Sequence, residues 1–452
     1  MRSKFVLIFC LISAISLAQQ GDEAQIKKLY TRALSQSQGY TWLKELTEIG
    51  PRLAGSENLN TAIFRFKHIA DSLGFETELQ KVKIPHWERG NICEVSANVK
   101  NVPPIMFNAC ALGGSVATPP KGLTAEVVEL THFDQLDSID VKDKIVFFNA
   151  KMDPAFLNTF FAYSATAKYR YLGALEASKK GAAAVIIRSL SSTVNKYPHT
   201  GSMTYNGAET KIPAAAISTK DADDLSALLK GVDDISLNFN QNCVWKDSTY
   251  SYNLIADLKG AEKTDEIILV GGHIDSWDLG TGAHDDGAGA VHALEAAYLL
   301  KQENLLPKRT LRVVFFLNEE FGLNGAREYA KRTQNLNHVI AIESDAGGFV
   351  PRGISMVAPE GQVEKIKAFR YLLEPYGIHQ FSQTGAGADI SQLDKNKTVL
   401  IGLRPDSQRY FEIHHSALDV LDQVNERELE LGSATLASLI YLLDTYDVVI
   451  EP

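Results

Sequence analysis

The sequence predicts an α/β protein, a mixed sheet covered by helices and interrupted by a separate β-rich segment. Three observations predict it. From residue 250 onward, short apolar runs alternate with amphipathic stretches. Between about 121 and 244 the rhythm changes to short strands with few helices. In the last part, blocks of histidine and acidic residues come directly after apolar runs, where α/β sheets bind ligands.

The chain begins with an export signal. Arg2 and Lys4 precede the apolar run from Phe5 to Leu17, and Ser16-Leu17-Ala18 predicts cleavage after Ala18. The run is too short to span a bilayer, and no other apolar stretch is long enough. The mature protein is expected to be soluble, in the periplasm or outside the cell. Residues 19–120 read as the first part of the main domain, 121–244 as the insert and 245–452 as the remainder.

Apolar spacing predicts helices over Ala24–Thr47 and Asn60–Gly74, then a strand over Phe75–Val82. The insert reads as strands Thr124–Leu130, Lys144–Phe148, Ala183–Arg188 and Ala214–Ile217, with one helix at Leu172–Lys180. The last part reads as strands Glu266–Val270, Thr310–Leu317, His338–Ile342 and Thr398–Leu403. Its helices are Ala288–Leu300, Gly325–Arg332 and Leu429–Tyr446.

At 45% hydrophobic and 22% charged, the 452 residues can bury a full core. A net charge of -10, with no basic patch interleaved with aromatics, excludes nucleic acid as the main partner. Without Cys10, the mature chain keeps Cys93, Cys110 and Cys243, which read as small apolar core residues. Nucleophile-elbow, phosphate-loop and His-Glu-x-x-His motifs do not occur.

The chemistry gathers in five blocks: Gly-Gly-His273-Ile-Asp275, Ala-His284-Asp285-Asp286-Gly, Glu319-Glu320, Ser-Asp345-Ala and His414-His415-Ser. Each block alone is ordinary surface or turn material. In order, and at strand ends, they read as a two-metal site. His273 and Asp345 would hold one cation and Glu320 and His415 the other, with Asp285 bridging. Two histidines and three carboxylates suit zinc, with manganese or cobalt as alternatives. Glu319 is left without a metal. If the backbone is extended there, it faces away from Glu320 and can serve as general base. Asp275 would orient His273. His414 reads as packing or as a support behind the ligands rather than a ligand, His292 as structural, and His284 receives no role. Arg404 and Arg409 read as salt-bridge partners, with a substrate carboxylate as the alternative.

These blocks, with Gly50-Pro51-Arg52-Leu53-Ala54-Gly55-Ser56 and Gly385-Ala386-Gly387-Ala388-Asp389, resemble the zinc peptidase family M28. The resemblance implies a phosphorylase/hydrolase-like fold with a protease-associated (PA-like) domain at 121–244. It implies two Zn2+ per chain, the roles given above, and a cis peptide between Asp285 and Asp286. It further implies an exopeptidase of dipeptidase or carboxypeptidase type, acting on unblocked dipeptides or short peptides and working as a homodimer. The alternatives are an aminopeptidase on longer peptides, a glutaminyl-cyclase-like acyltransferase and a silent receptor-like binding protein.

Overall fold

The computed structural model describes residues 21–450. The expected export signal lies outside them. The helix expected over 24–47 is two helices, 21–36 and Gly39–Ile49. A tertiary contact makes the break: the amides of Gln38 and Gly39 both donate to Glu295 Oε1, at 2.8 and 2.9 Å. The next helix, Glu57–Ser72, starts where Ser56 Oγ accepts from the Leu59 amide at 3.2 Å.

The main sheet has eight strands. In spatial order they are Glu76–Glu88, Val244–Leu258, Arg309–Phe316, Lys263–His273, Asn337–Glu343, Val399–Pro405, Pro351–Val357 and Gln380–Ser382. The four from Arg309–Phe316 to Val399–Pro405 run parallel, and antiparallel neighbours flank them. Side chains alternate between faces. Ile268 and Val270 enter the core under the helices Ala288–Gln302 and Glu426–Thr445. Ile267 and Leu269 pack on the other face with Ala326 and Tyr329 of the helix Asn324–Arg332.

A second eight-stranded sheet forms the insert. Its middle strands, Leu123–Leu130, Ile145–Phe148, Ala184–Arg188 and Ala214–Ile217, are parallel. Strands ahead of residue 121 join it. Cys93–Asn98 pairs antiparallel with Ser236–Gln241, and Ala109–Ala111 with Ala214–Ile217. The sheet therefore starts near residue 93, because its edges need partners that only the earlier segment supplies. The insert also has more helix than its sequence suggests. Thr159–Ser178 runs for 20 residues, and Thr219–Gly231 comes later. The first lacks a clear apolar stripe because it is gripped on two sides. Tyr163 stacks on Phe411 of the main domain, and Tyr169 packs on Phe133 of the insert.

Cys110 and Cys243 are buried and Cys93 half-buried, all as free thiols. Among the described residues no helix is long and apolar enough to cross a membrane.

Candidate metal centre

Register places the site. His273 ends its strand and pairs with Phe316, and Gly271 pairs with Glu343. Glu319, Glu320 and Asp345 therefore emerge just past the carboxyl ends of neighbouring parallel strands. Gly272 permits the next contact. A Cβ there would lie 2.5 Å from Asp286 Oδ2, which accepts the His273 amide at 3.1 Å.

His273 Nε2 lies 3.3 Å from Asp285 Oδ1 and 3.7 Å from Asp345 Oδ1. His415 Nε2 lies 3.1 Å from both Asp285 Oδ2 and Glu320 Oε2. His273, Asp285 and Asp345 have donor atoms within 4.8 Å of one another, and so do Asp285, His414 and His415. Asp285 belongs to both groups. All these residues are buried except Asp345, which is partly so. The Asp285–Asp286 peptide is cis.

Both imidazoles are anchored the same way. His273 Nδ1 donates to the Asp275 carbonyl at 3.0 Å, and His415 Nδ1 donates to the Thr200 carbonyl at 3.3 Å. A carbonyl can only accept, so Nδ1 carries the proton and a neutral ring presents its Nε2 lone pair to carboxylates. Acceptor then faces acceptor unless a cation sits between them. Without one the rings must stay protonated. For His273 and His415 burial favours the neutral ring, but the facing carboxylates outweigh it. They hold His273 well above its usual value and His415 at about 9.

The surrounding acids tell the same story. Burial pushes Glu319 and Glu320 up, and neighbouring carboxylates add to it. Burial likewise raises Asp286 and Asp389, again with carboxylates nearby. Asp285 Oδ2 and Glu320 Oε1 are buried without hydrogen-bond partners. A carboxylate-rich pocket with orphaned oxygens and two histidine lone pairs fits divalent cations.

Two expectations need correction in detail. Glu319 and Glu320 do not lie on extended backbone. Asn318 has a φ of 62°, and the Gly322 amide closes a turn on the Glu319 carbonyl at 3.0 Å. The two side chains are separated by the turn and by their partners. Glu320 Oε2 accepts from Trp277 Nε1 at 2.5 Å. Nor does the Asp275 carboxylate hold His273 by a hydrogen bond, since its oxygen is 3.7 Å from Nδ1. It accepts instead from the amides of Glu319 and Glu320, at 3.1 and 3.4 Å. Asp275 thus fixes His273 through its carbonyl and the glutamate turn through its carboxylate.

The comparisons with known proteins agree with this geometry. The Peptidase family M28 model matches residues 253–440. Carboxypeptidase Q of Homo sapiens and that of Bos taurus are each 35% identical over 434 residues, 94% of this chain and 90% of theirs. The chain belongs to peptidase family M28. A crystal structure of a peptidase M28 precursor from Shewanella amazonensis superposes with a TM-score of 0.91 at 36% identity, covering 96% of this chain and 99% of that one. An aminopeptidase from Aneurinibacillus sp. shares the fold, with a TM-score of 0.64 at 21% identity over 94% of this chain and 98% of its own. The chain is accordingly a metallopeptidase of the zinc-dependent M28 type, similar to carboxypeptidase Q along nearly its whole length.

Other residues of this M28 peptidase support the cluster and were not singled out from the sequence. Arg52, fully buried, donates to the carbonyls of Ile274, Thr281 and Gly282 and so pins the loop between His273 and Asp285. Its signal was present in the Gly50–Ser56 block. Asp419 accepts from the amides of His284 and Asp285, at 2.7 and 3.1 Å. Burial and Asp285 push it up to about 7. It stands four residues after the ligand candidate His415, just beyond the His414-His415-Ser block. Trp277 and Thr200 gave no such signal, because a tryptophan or a backbone carbonyl reads as structure. His284 stacks on Phe349 and His292 bonds Ser344 Oγ at 3.0 Å, so both are structural. His414 lies directly behind the ligand candidates, within the role the sequence left open. Its ring stacks on His415 at 3.5 Å, and its Nε2 is 3.5 Å from Asp285 Oδ2.

Proposed function

We propose that the chain is an exported two-zinc exopeptidase that hydrolyses unblocked dipeptides or short peptides. The observation that carries the reading is the shared anchoring of His273 and His415. Each spends Nδ1 on a backbone carbonyl and aims Nε2 at Asp285. On this reading His273 and Asp345 would hold one zinc and Glu320 and His415 the other, with Asp285 shared between the two groups. When bound, the zinc pair polarises the scissile carbonyl and acidifies water.

Glu319 serves as the general base. It takes a proton from the attacking water and passes it to the leaving amine. Burial and the neighbouring carboxylates raise its proton affinity, which favours the first of these steps, taking the proton from water. Asp275 is a positioning residue, because it grips the Glu319 amide and the His273 ring together. The homodimer belongs to the same reading, and light scattering on the mature protein checks it.

The test is turnover of a panel of unblocked dipeptides, read by mass spectrometry, on zinc-loaded and chelator-stripped protein. Cleavage that depends on the metal is the expected result. No cleavage of any dipeptide by protein holding two zinc ions overturns the reading.

A further inference from the structure

Two arginines near the cluster have opposite surroundings. Arg409 donates to Glu428 Oε2 at 2.7 Å, an ordinary surface ion pair. Arg404 is half-buried. Its Nε donates to Ser355 Oγ at 2.7 Å and its Nη2 to the Ala386 carbonyl. Among the described residues no carboxylate stands within salt-bridge distance of it, and its Nη1 has no hydrogen-bond partner.

Two buried arginines that do have carboxylate partners show the contrast. Burial pulls Arg312 and Arg309 down, but Asp257 for the first and Asp447, Asp444 and Glu266 for the second outweigh it and raise both. Burial wins at Arg404, which is lowered despite the more distant Asp345 and Glu343. The Nη1 of Arg404 is open to solvent, so a guanidinium partly drawn out of water keeps one donor nitrogen available to an anion. Arg52 meets its burial with three carbonyl acceptors, whereas Arg404 has one hydroxyl and one carbonyl and leaves Nη1 unused.

The fold says where that anion would lie. Glu343 pairs with Gly402 on the neighbouring parallel strand. Asp345 and Arg404 are each two residues past that pair, at the same sheet edge. Together with Val357, Gly385, Ala386 and Leu400 they line a cavity of about 390 Å³. That volume is within the range of small-ligand sites. Asp345, a metal-ligand candidate, lines the same cavity, so a group held by Arg404 shares that cavity with the metal cluster.

We propose that Arg404 is a substrate-anchoring residue, whose free Nη1 pairs with a carboxylate of the bound peptide in this cavity. Calling that ligand a substrate rests on the peptidase reading above, but the carboxylate site itself does not. The carboxylate has two sources, the C-terminal end of the peptide or an acidic side chain.

The experiment is calorimetric binding to zinc-loaded protein of two matched pairs, L-leucine with L-leucinamide and L-glutamate with L-glutamine. Wild type should favour the acid over its amide in one pair by about tenfold or more, as a charge-assisted arginine contact gives. Discrimination in the leucine pair assigns the terminal carboxylate, and discrimination in the glutamate pair the side chain. Arg404→Gln should bring that ratio close to one. Arg404→Lys, which keeps the charge but not the fork, should lower it several-fold and carries the test alone if the glutamine variant does not fold. No preference in wild type, or a ratio unchanged in either variant, overturns the proposal. A protein that discriminates yet cleaves no dipeptide keeps the anchor and loses the peptidase reading. One that cleaves without an Arg404-dependent ratio does the reverse.

Discussion

The His273 half and the His415 half of the cluster are built from different material. His273 is the last residue of a central strand, and its partners Asp275 and Asp286 belong to the same lobe. His415 sits in a loop with a φ of 60°, and its ring is held by the Thr200 carbonyl of the insert. His414, stacked on it, meets the edge of Tyr163 from an insert helix. One half is therefore set by sheet register and the other by contact between two lobes. Register is stiff, whereas a contact between lobes can be loosened without unfolding either.

Asp285 is the residue the two halves share, so its loss should abolish the comparison altogether. Asp285→Ala is expected to release both metals and remove turnover. Metal analysis after dialysis decides it, and two equivalents retained would rule out the bridge. Glu319→Gln should spare both halves and remove the proton carrier. We expect turnover to fall by about a hundredfold or more with metal content unchanged. Near-normal turnover removes Glu319 from the mechanism.

Trp277→Phe sharpens the comparison, since it deletes a donor to Glu320 on one side only. The expected result is a roughly ten- to hundredfold weaker affinity for one of the two metals, as for other partners that orient ligands. A competitive chelator titration reads it. Equal weakening of both metals would mean that the halves are not independently supported.

The smallest effect lies outside the cluster, where a buried carboxyl has no cation to serve. Burial, with Glu295 alongside, pushes Glu430 up to about 9. The folded state then binds this proton more tightly than the unfolded chain does. Its contribution is fully present below the ordinary glutamate value and is lost as pH rises toward 9. Glu430→Gln should therefore raise the Tm by about 2–4 °C at pH 8 and leave it unchanged at pH 4. An equal shift at both pH values would point to packing rather than titration.

Much of the main lobe was legible because its strands are buried on both faces. Asn337–Glu343 and Val399–Pro405 lie within a residue or two of their expected ends. The ligand candidates were legible for the same reason, since a buried apolar run marks the residues just past its carboxyl end. The features that escaped each have a physical cause. The sequence marks only the first half of Glu76–Glu88 as a strand and misses its antiparallel partner Val244–Leu258, because the outer part of the partner is exposed and carries little apolar signal. The helix break at Gln38 is dictated by Glu295, a residue far away in the chain. The turn at Glu319 depends on a left-handed Asn318 that an acidic pair does not announce. Arg404 and Arg409 looked alike in sequence, and only their neighbours separate them.

The pairing of Glu88 with Val244 has a consequence for how such a chain could arise. Residues 89–243 leave the main sheet and return to it at facing positions of one antiparallel ladder. Topologically the whole second lobe is one overgrown hairpin loop, a cassette whose two ends are already stitched together. Closing so long a loop costs little more than closing a moderate one, because the entropy grows only with the logarithm of length. Ancestors could therefore acquire or exchange the cassette without disturbing the sheet beneath it. A chain shortened to a tight turn between Glu88 and Val244 should keep the His273 half and lose the Thr200 support of the other.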